Sequence, residues 1–458
     1  MRSKSLKRGT LTADSMGVSA SVSRIRLAGA CVVVVYAAVR VWMFVGARPL
    51  LTPDSHAYLR IAREPLLSLR FFSEYKPWFV PAFYKAAGES AHALTWAQLV
   101  LSIVAWLFLA SALAYSVRNP WLRVVVAVAV LLFSLSPVIA QWDAAVLSES
   151  LSLSLAAIFV GLLLVLLRHP TTATAALLGV VAACWAGTRD TNAYVVVLVL
   201  VPVAVVLLVQ HRPRVGVALV AIASLVLVFS LWSASSPRRW EIVSVDLVIE
   251  RVLGDAHAES YFRAHGMPVL PGLRARLFAD RTPWSRYESD PQLVAFRRWI
   301  RTDSRPTYLS YLRDTPSASI STPMHRLAQL NSPDVISLYR PHGFRTLMPG
   351  ELDRLVYLPS GGVVFGWSLL ALASACLLAA ARRLRAVWIV GALLVLTTVP
   401  QAILVWDAEP REVGRHALLV GTLDRVGLLI LAALVFDALL TLMQERRALA
   451  RVRTAVPA

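Results

Sequence analysis

The sequence predicts an all-α polytopic membrane protein of about ten transmembrane helices, and three observations predict it. The 458 residues are 57% hydrophobic and only 16% charged, where soluble domains average about 25% charged. The mean hydropathy is +0.62. Apolar stretches of roughly 20 residues recur, each long enough to cross a hydrocarbon core of about 30 Å.

The first such stretch, 27–45, follows a basic segment holding Arg2, Lys4, Lys7, Arg8, Arg24 and Arg26. It is too long for a signal-peptide core and no small-x-small cleavage site follows it, so it reads as a membrane helix. Further spans are expected near 93–117, 121–140, 147–167, 173–186, 194–209, 215–233, 360–381, 386–405 and 418–442. Two of these, 173–186 and 194–209, are too short to cross fully. The polar stretch Gly187–Asn192 between them is therefore expected below the membrane surface, where polar backbone needs surrounding protein or a water-filled cavity.

The net charge of +19 is carried almost wholly by arginine, with lysine only at positions 4, 7, 76 and 85. Much of the excess lies in short links between apolar spans, which argues for membrane topology and against nucleic acid as a partner. With the basic N-terminus cytoplasmic, the inside links hold Arg118, Arg123, Arg168, Arg212, Arg214, Arg382, Arg383 and Arg385, and the tail adds Arg446, Arg447, Arg451 and Arg453. The outside links are then 47–92, 141–147, 187–193, 234–358 and 406–417, which are richer in Asp, Glu, His, Tyr and Trp. This gives a basic N-terminus (1–26), an N-terminal transmembrane catalytic module (27–233), an extracytoplasmic lobe (234–358), C-terminal transmembrane helices (359–443) and a basic tail (444–458). Segment 292–301 is expected to form an amphipathic helix on the lobe or the bilayer. Cys31, Cys184 and Cys376 all fall in apolar segments and read as packing residues.

No Walker loop, dinucleotide fingerprint, HExxH helix or CxxC pair is present, so nucleotide hydrolysis and redox chemistry find no support. What remains is a set of ionisable residues at the predicted outer helix ends. Asp54 lies in Thr52-Pro53-Asp54-Ser55-His56, Asp143 in Gln141-Trp142-Asp143, and Glu149 in Ser148-Glu149-Ser150. Each fits a helix cap as well as it fits chemistry. Arg189 adjoins Asp190, an internal ion pair being the plain alternative. Arg411, Arg415 and His416 precede the last span. The two arginines share a face if that segment is helical, and interfacial snorkelling is their plain alternative. Together the sets place carboxylates suited to proton transfer and arginines suited to phosphate on one surface.

These residues resemble the GT-C superfamily of polytopic glycosyltransferases. The resemblance rests on Asp54 shortly after the first span, a second acidic spot at Asp143 or Glu149, the Thr188–Tyr194 break, and Glu412–His416 before the last span. It covers most of 27–235 and 360–442. It implies a polyprenyl-phosphate sugar donor, a glycan, lipid or protein acceptor, membrane lipids as surroundings, and an active face outside the cytoplasm of the cell membrane. It also implies an inverting displacement with Asp54 as base, and Arg189, Arg411, Arg415 and His416 around the donor phosphate. The first outer loop carries one Asp where many members show a pair, and the bulk lies in the internal 234–358 loop where some members have a C-terminal lobe. No cofactor is firmly implied, and a divalent cation stays open. A polysaccharide polymerase or ligase using lipid-linked sugars is one alternative. A lipid or solute transporter is another, disfavoured because transporters place charges near the midplane and show repeated halves.

Overall fold

A computed structural model describes residues 29–88, 90–278, 287–332, 339–347 and 361–455. The predicted basic N-terminus lies outside the described residues, as does part of the loop before the eighth predicted span. All regular elements among the described residues are helical, with one isolated parallel bridge between Leu50 and Ala145.

Among the described residues, seven helices are long and apolar enough to cross a membrane: Ala91–Ser116, Ser148–Arg168, Asp190–Val209, Pro213–Ala234, Gly361–Ala380, Trp388–Ala408 and Val413–Ala450. An eighth candidate is broken, because Pro120–Ser134 and Pro137–Ala144 meet at 59°. Pro137 cannot continue the preceding helix, so the single predicted span 121–140 turns there. The remaining predicted spans correspond to two shorter apolar helices, Gly29–Phe44 and Thr172–Ala186. Of the ten expected spans, seven, or eight counting the bent pair, are of crossing length among the described residues.

The Asp190–Val209 helix differs from the short 194–209 segment expected. It has 20 residues because Arg189 takes extended backbone geometry as N-cap and Asp190 occupies the first turn, where an anion favours the helix dipole. The break after Ala186 is thus confined to Gly187, Thr188 and Arg189. Gly187 is required there, since a Cβ would lie 2.6 Å from the Trp78 ring. The last helix runs unbroken over Leu418–Ala455, 38 residues, well past the expected end at 442.

Ser148–Arg168 is the central helix, with 89% of its apolar window buried. It packs between Ala91–Ser116 and Thr172–Ala186. Its two ends differ in charge, with Glu149 at the start and Arg168 at the finish. Near the Arg168 end, Arg385 is held below the ordinary guanidinium range by burial and by neighbouring Arg118, Arg168 and Arg123.

Residues of the 237–312 segment gather their own apolar cluster around Val248, Phe262, Leu277, Phe296 and Trp299. The Val294–Thr302 helix buries Phe296, Trp299 and Ile300 there, so its apolar face is spent on the lobe. Two loop contacts then shape the Glu149 end. Leu50 exchanges backbone bonds with Ala144 and Val146 at 2.8 and 3.0 Å. The 339–347 segment docks on 43–48 through Arg48 N–H to His342 O and Arg345 N–H to Met43 O. Gly343, at φ +78°, lies so close to Gly46 that a Cβ would sit 2.2 Å from its carbonyl oxygen.

Candidate active site

Four segments far apart in sequence meet at the Glu149 end. Asp54 comes from the first turn of Pro53–Ala62, which Thr52 and Ser55 fix by reciprocal capping bonds. Glu149 is the second residue of the central helix. Arg189 is the N-cap of Asp190–Val209, and Arg415 lies in the short turn Val413–His416.

Glu149 is the hub. Its Oε1 lies 2.5 Å from Arg189 Nη2 and 3.1 Å from Arg415 Nε, and its side chain is 1% exposed. Arg415 Nη2 also reaches Asp54 Oδ2 at 3.0 Å and Glu412 Oε2 at 2.9 Å. The other oxygen of Asp54 accepts from Lys76 Nζ at 2.7 Å. Lys76, Arg189 and Arg415 thus face Asp54, Glu149 and Glu412, three charges against three. Arg189 is steadied further by Ser148 Oγ at 3.4 Å and the His416 carbonyl at 3.3 Å. The Arg415 guanidinium stacks over Tyr339, 5.2 Å from the ring centre, and Tyr339 donates its hydroxyl to Glu412. Three buried atoms of the cluster, Glu149 Oε2, Arg415 Nε and His416 Nδ1, make no hydrogen bond among the described residues. Such orphans are rare in folded proteins and call for an explanation.

Burial opposes ionisation of Asp54, yet Lys76 and Arg415 outweigh it and hold the carboxyl at about 2. Lys76 is raised above its ordinary value because its contacts with Tyr58 and Asp54 outweigh burial. Asp54 is therefore an anion at any working pH. Glu409 behaves oppositely. Its Oε2 lies 3.5 Å from His416 Nε2, and burial pushes its carboxyl up to about 7 against the pull of Arg189, Lys76 and Arg415. A carboxyl raised on folding costs nothing below its unfolded value of 4.5 and costs stability as pH rises toward and through about 7. Glu409→Gln is accordingly expected to raise the thermal midpoint at pH 8 and to match the wild type below pH 4.5. An offset of equal size at both pH values would assign the effect to packing.

Of the other predicted residues, His416 belongs to the cluster and Asp143 and Arg411 lie elsewhere. Asp143 is 2% exposed and ion-paired with Arg40, with Ser150 Oγ donating to it at 2.7 Å. It belongs to the bundle interior and forms no ion pair with the cluster among the described residues. Asp190 pairs with Arg239 at 2.8 Å, so Arg189 and Asp190 are not each other's partners. Arg411 precedes the Val413–His416 turn, so it does not share a helix face with Arg415. It reaches Asp246 at 3.4 Å, whose carboxyl burial raises to about 6 despite Arg411. His416 contributes its backbone carbonyl to Arg189 and its ring to Glu409.

Lys76, Glu409 and Tyr339 are the members that sequence reasoning did not single out, and Glu412 was named only as the start of the Glu412–His416 run. Lys76 carried a signal, being one of four lysines in an arginine-rich chain. Tyr339 carried none. Beside the cluster, Arg189, Asn192, Gln401 and His416 line a narrow crevice. Among the described residues, no three His, Cys, Asp or Glu side chains are grouped to hold a metal ion.

The fold is that of a polytopic helical membrane protein with a charged cluster at one end of an apolar bundle. No protein-family model and no curated protein matches the chain. Among solved structures it is similar to the archaeal oligosaccharyltransferase AglB from Archaeoglobus fulgidus, in complex with an inhibitory peptide and a dolichol-phosphate. The identity is 13%, the TM-score 0.45, and the match covers 94% of this chain and 52% of that one. The chain spans about half the length of that protein, and a likeness at this level bears on neither activity nor site.

Proposed function

We propose that the chain is an integral membrane glycosyltransferase. It would move a sugar from a polyprenyl-phosphate donor to an extracytoplasmic glycan, lipid or protein acceptor by an inverting single displacement. One observation carries the reading: an ionised carboxylate, Asp54, lies between Lys76 and Arg415, and Arg415 shares Glu149 with the buried Arg189, at one end of an apolar helical bundle. Such a bundle suits a prenyl chain, and fixed guanidinium groups suit a departing phosphate.

In this reading Asp54 takes the proton of the acceptor hydroxyl. The acceptor oxygen bonds to the anomeric carbon as the bond from that carbon to the phosphate oxygen breaks, and polyprenyl phosphate leaves with the electron pair. Arg415 and Arg189 receive its charge. The cluster is already neutral, so the phosphate must replace a carboxylate. Glu412, 32% exposed against 1% for Glu149, is the one that swings away most cheaply. A phosphate on Arg415 and Lys76 also loosens their hold on Asp54, so donor binding restores basicity to the group that needs it.

The test is transfer itself. Purified full-length protein with labelled polyprenyl-phosphate pentose or hexose is expected to release polyprenyl phosphate and label an acceptor. Movement of the intact donor lipid between leaflets without cleavage would favour the transporter. For topology, a cysteine at Ser289 on a cysteine-free background is expected to label from outside. Labelling only from the cytoplasm would overturn the orientation.

A further inference from the structure

A second cleft, of about 390 Å³, opens beside the charged cluster and takes no part in it. One wall is the segment carrying Trp406, Pro410, Val413 and Gly414, whose next residue, Arg415, points into the cluster. Successive Cα atoms lie about 3.8 Å apart, so cleft and cluster are separated by a single thickness of chain. Glu250 and Arg251 also line the cleft, and lie in a π-helical turn over Val248–Val252. Such turns are rare and recur at functional sites.

The lining mixes apolar side chains such as Trp406 and Leu330 with charge-balanced polar ones, Arg251 and Arg326 against Glu250 and Asp255, and Gln329 adds an amide. Arg251 stacks over Trp406 at 3.5 Å from the ring centre and donates to its backbone carbonyl at 2.8 Å. Arg326 approaches the same ring at 5.0 Å and makes no ion pair among the described residues. Ser332 Oγ is buried at the cleft without a hydrogen-bond partner among the described residues. An apolar chain would strand these groups unsatisfied, and a phosphate would meet Glu250 and Asp255. A neutral polyol satisfies both sets, because each hydroxyl donates and accepts.

The geometry points to this cleft as a binding site for an uncharged oligosaccharide, the acceptor strand whose end reaches over Gly414 to the cluster. Only the word acceptor rests on the transferase reading. Binding of sugar is a property of the cleft alone.

Binding and transfer are therefore measured separately on the full chain in detergent. Binding probes are neutral hexose and pentose oligosaccharides, oligogalacturonate and inorganic phosphate. At least one neutral oligosaccharide is expected to bind. Arg326→Ala and Gln329→Ala, both exposed positions, are expected to weaken it about tenfold or more. Arg313→Ala, an exposed change in the lobe, should leave it intact. Preference for oligogalacturonate or phosphate, no binding by any probe, or binding untouched in both cleft variants overturns the proposal. Sugar binding lost in the variants, with no transfer by the wild type, keeps the cleft and sinks the transferase. Transfer by a protein whose sugar binding ignores both variants does the reverse.

Discussion

Asp54→Asn is expected to lower turnover by about 10²–10⁴-fold, the range over which a positioned general base accelerates reactions, while donor affinity holds or tightens. The amide keeps the shape of the side chain and removes its basicity. The removed charge is one that Lys76 and Arg415 now neutralise at 2.7 and 3.0 Å. Freed of it, both cations offer more to a phosphate. A fall in turnover with an unchanged or lower KM for donor is therefore the expected pattern, marking an interaction that matters in the transition state. Arg415→Lys gives the complementary result. An ammonium cannot span Asp54, Glu149 and Glu412 as a planar guanidinium does, so donor affinity should fall. Near-normal turnover in Asp54→Asn, with Glu409→Gln or Glu149→Gln inactive, would move the base to that residue. Unchanged donor affinity in both Arg189→Gln and Arg415→Lys would leave those arginines as structural anchors.

The fold was legible where hydrophobicity is one-dimensional. Runs such as 93–117 and 215–233 appear as Ala91–Ser116 and Pro213–Ala234 because a span must be apolar along its length whatever it packs against. The boundaries depend on local backbone chemistry, and there the reading slipped. Arg189 as an N-cap extended one helix to Asp190, and Pro137 bent another. The charged cluster was half legible. Asp54, Glu149, Arg189 and Arg415 were each found at the end of an apolar run. Which carboxylate meets which arginine depends on packing across 40 to 361 residues. Sequence neighbours misled twice, since Asp190 turns to Arg239 and Arg411 to Asp246. Asp143 misled for another reason. It stands six residues from Glu149 in the same polar stretch, but Gln98 Nε2 holds the turn by donating to the Asp143 and Ala145 carbonyls at 3.1 and 2.8 Å. The Asp143 side chain is left facing Arg40.

That buried pair carries the largest stability effect expected here. Arg40 is 1% exposed, and besides Asp143 it donates to Ser134 O and Ser102 Oγ, each at 2.7 Å. Asp143→Leu removes its counter-charge and leaves a guanidinium enclosed among apolar helices. Breaking one side of a buried pair costs about 3–5 kcal/mol, because the remaining charge is uncompensated. Replacing both sides with apolar residues of similar size is often neutral. Asp143→Leu alone is therefore expected to lower the thermal midpoint sharply, and Arg40→Met with Asp143→Leu to recover most of the loss. If the pair serves only the fold, the recovered double variant should also recover sugar transfer. A double variant that regains stability yet stays inactive would return Asp143 to the chemistry, and a single variant as stable as the wild type would show the pair to be dispensable.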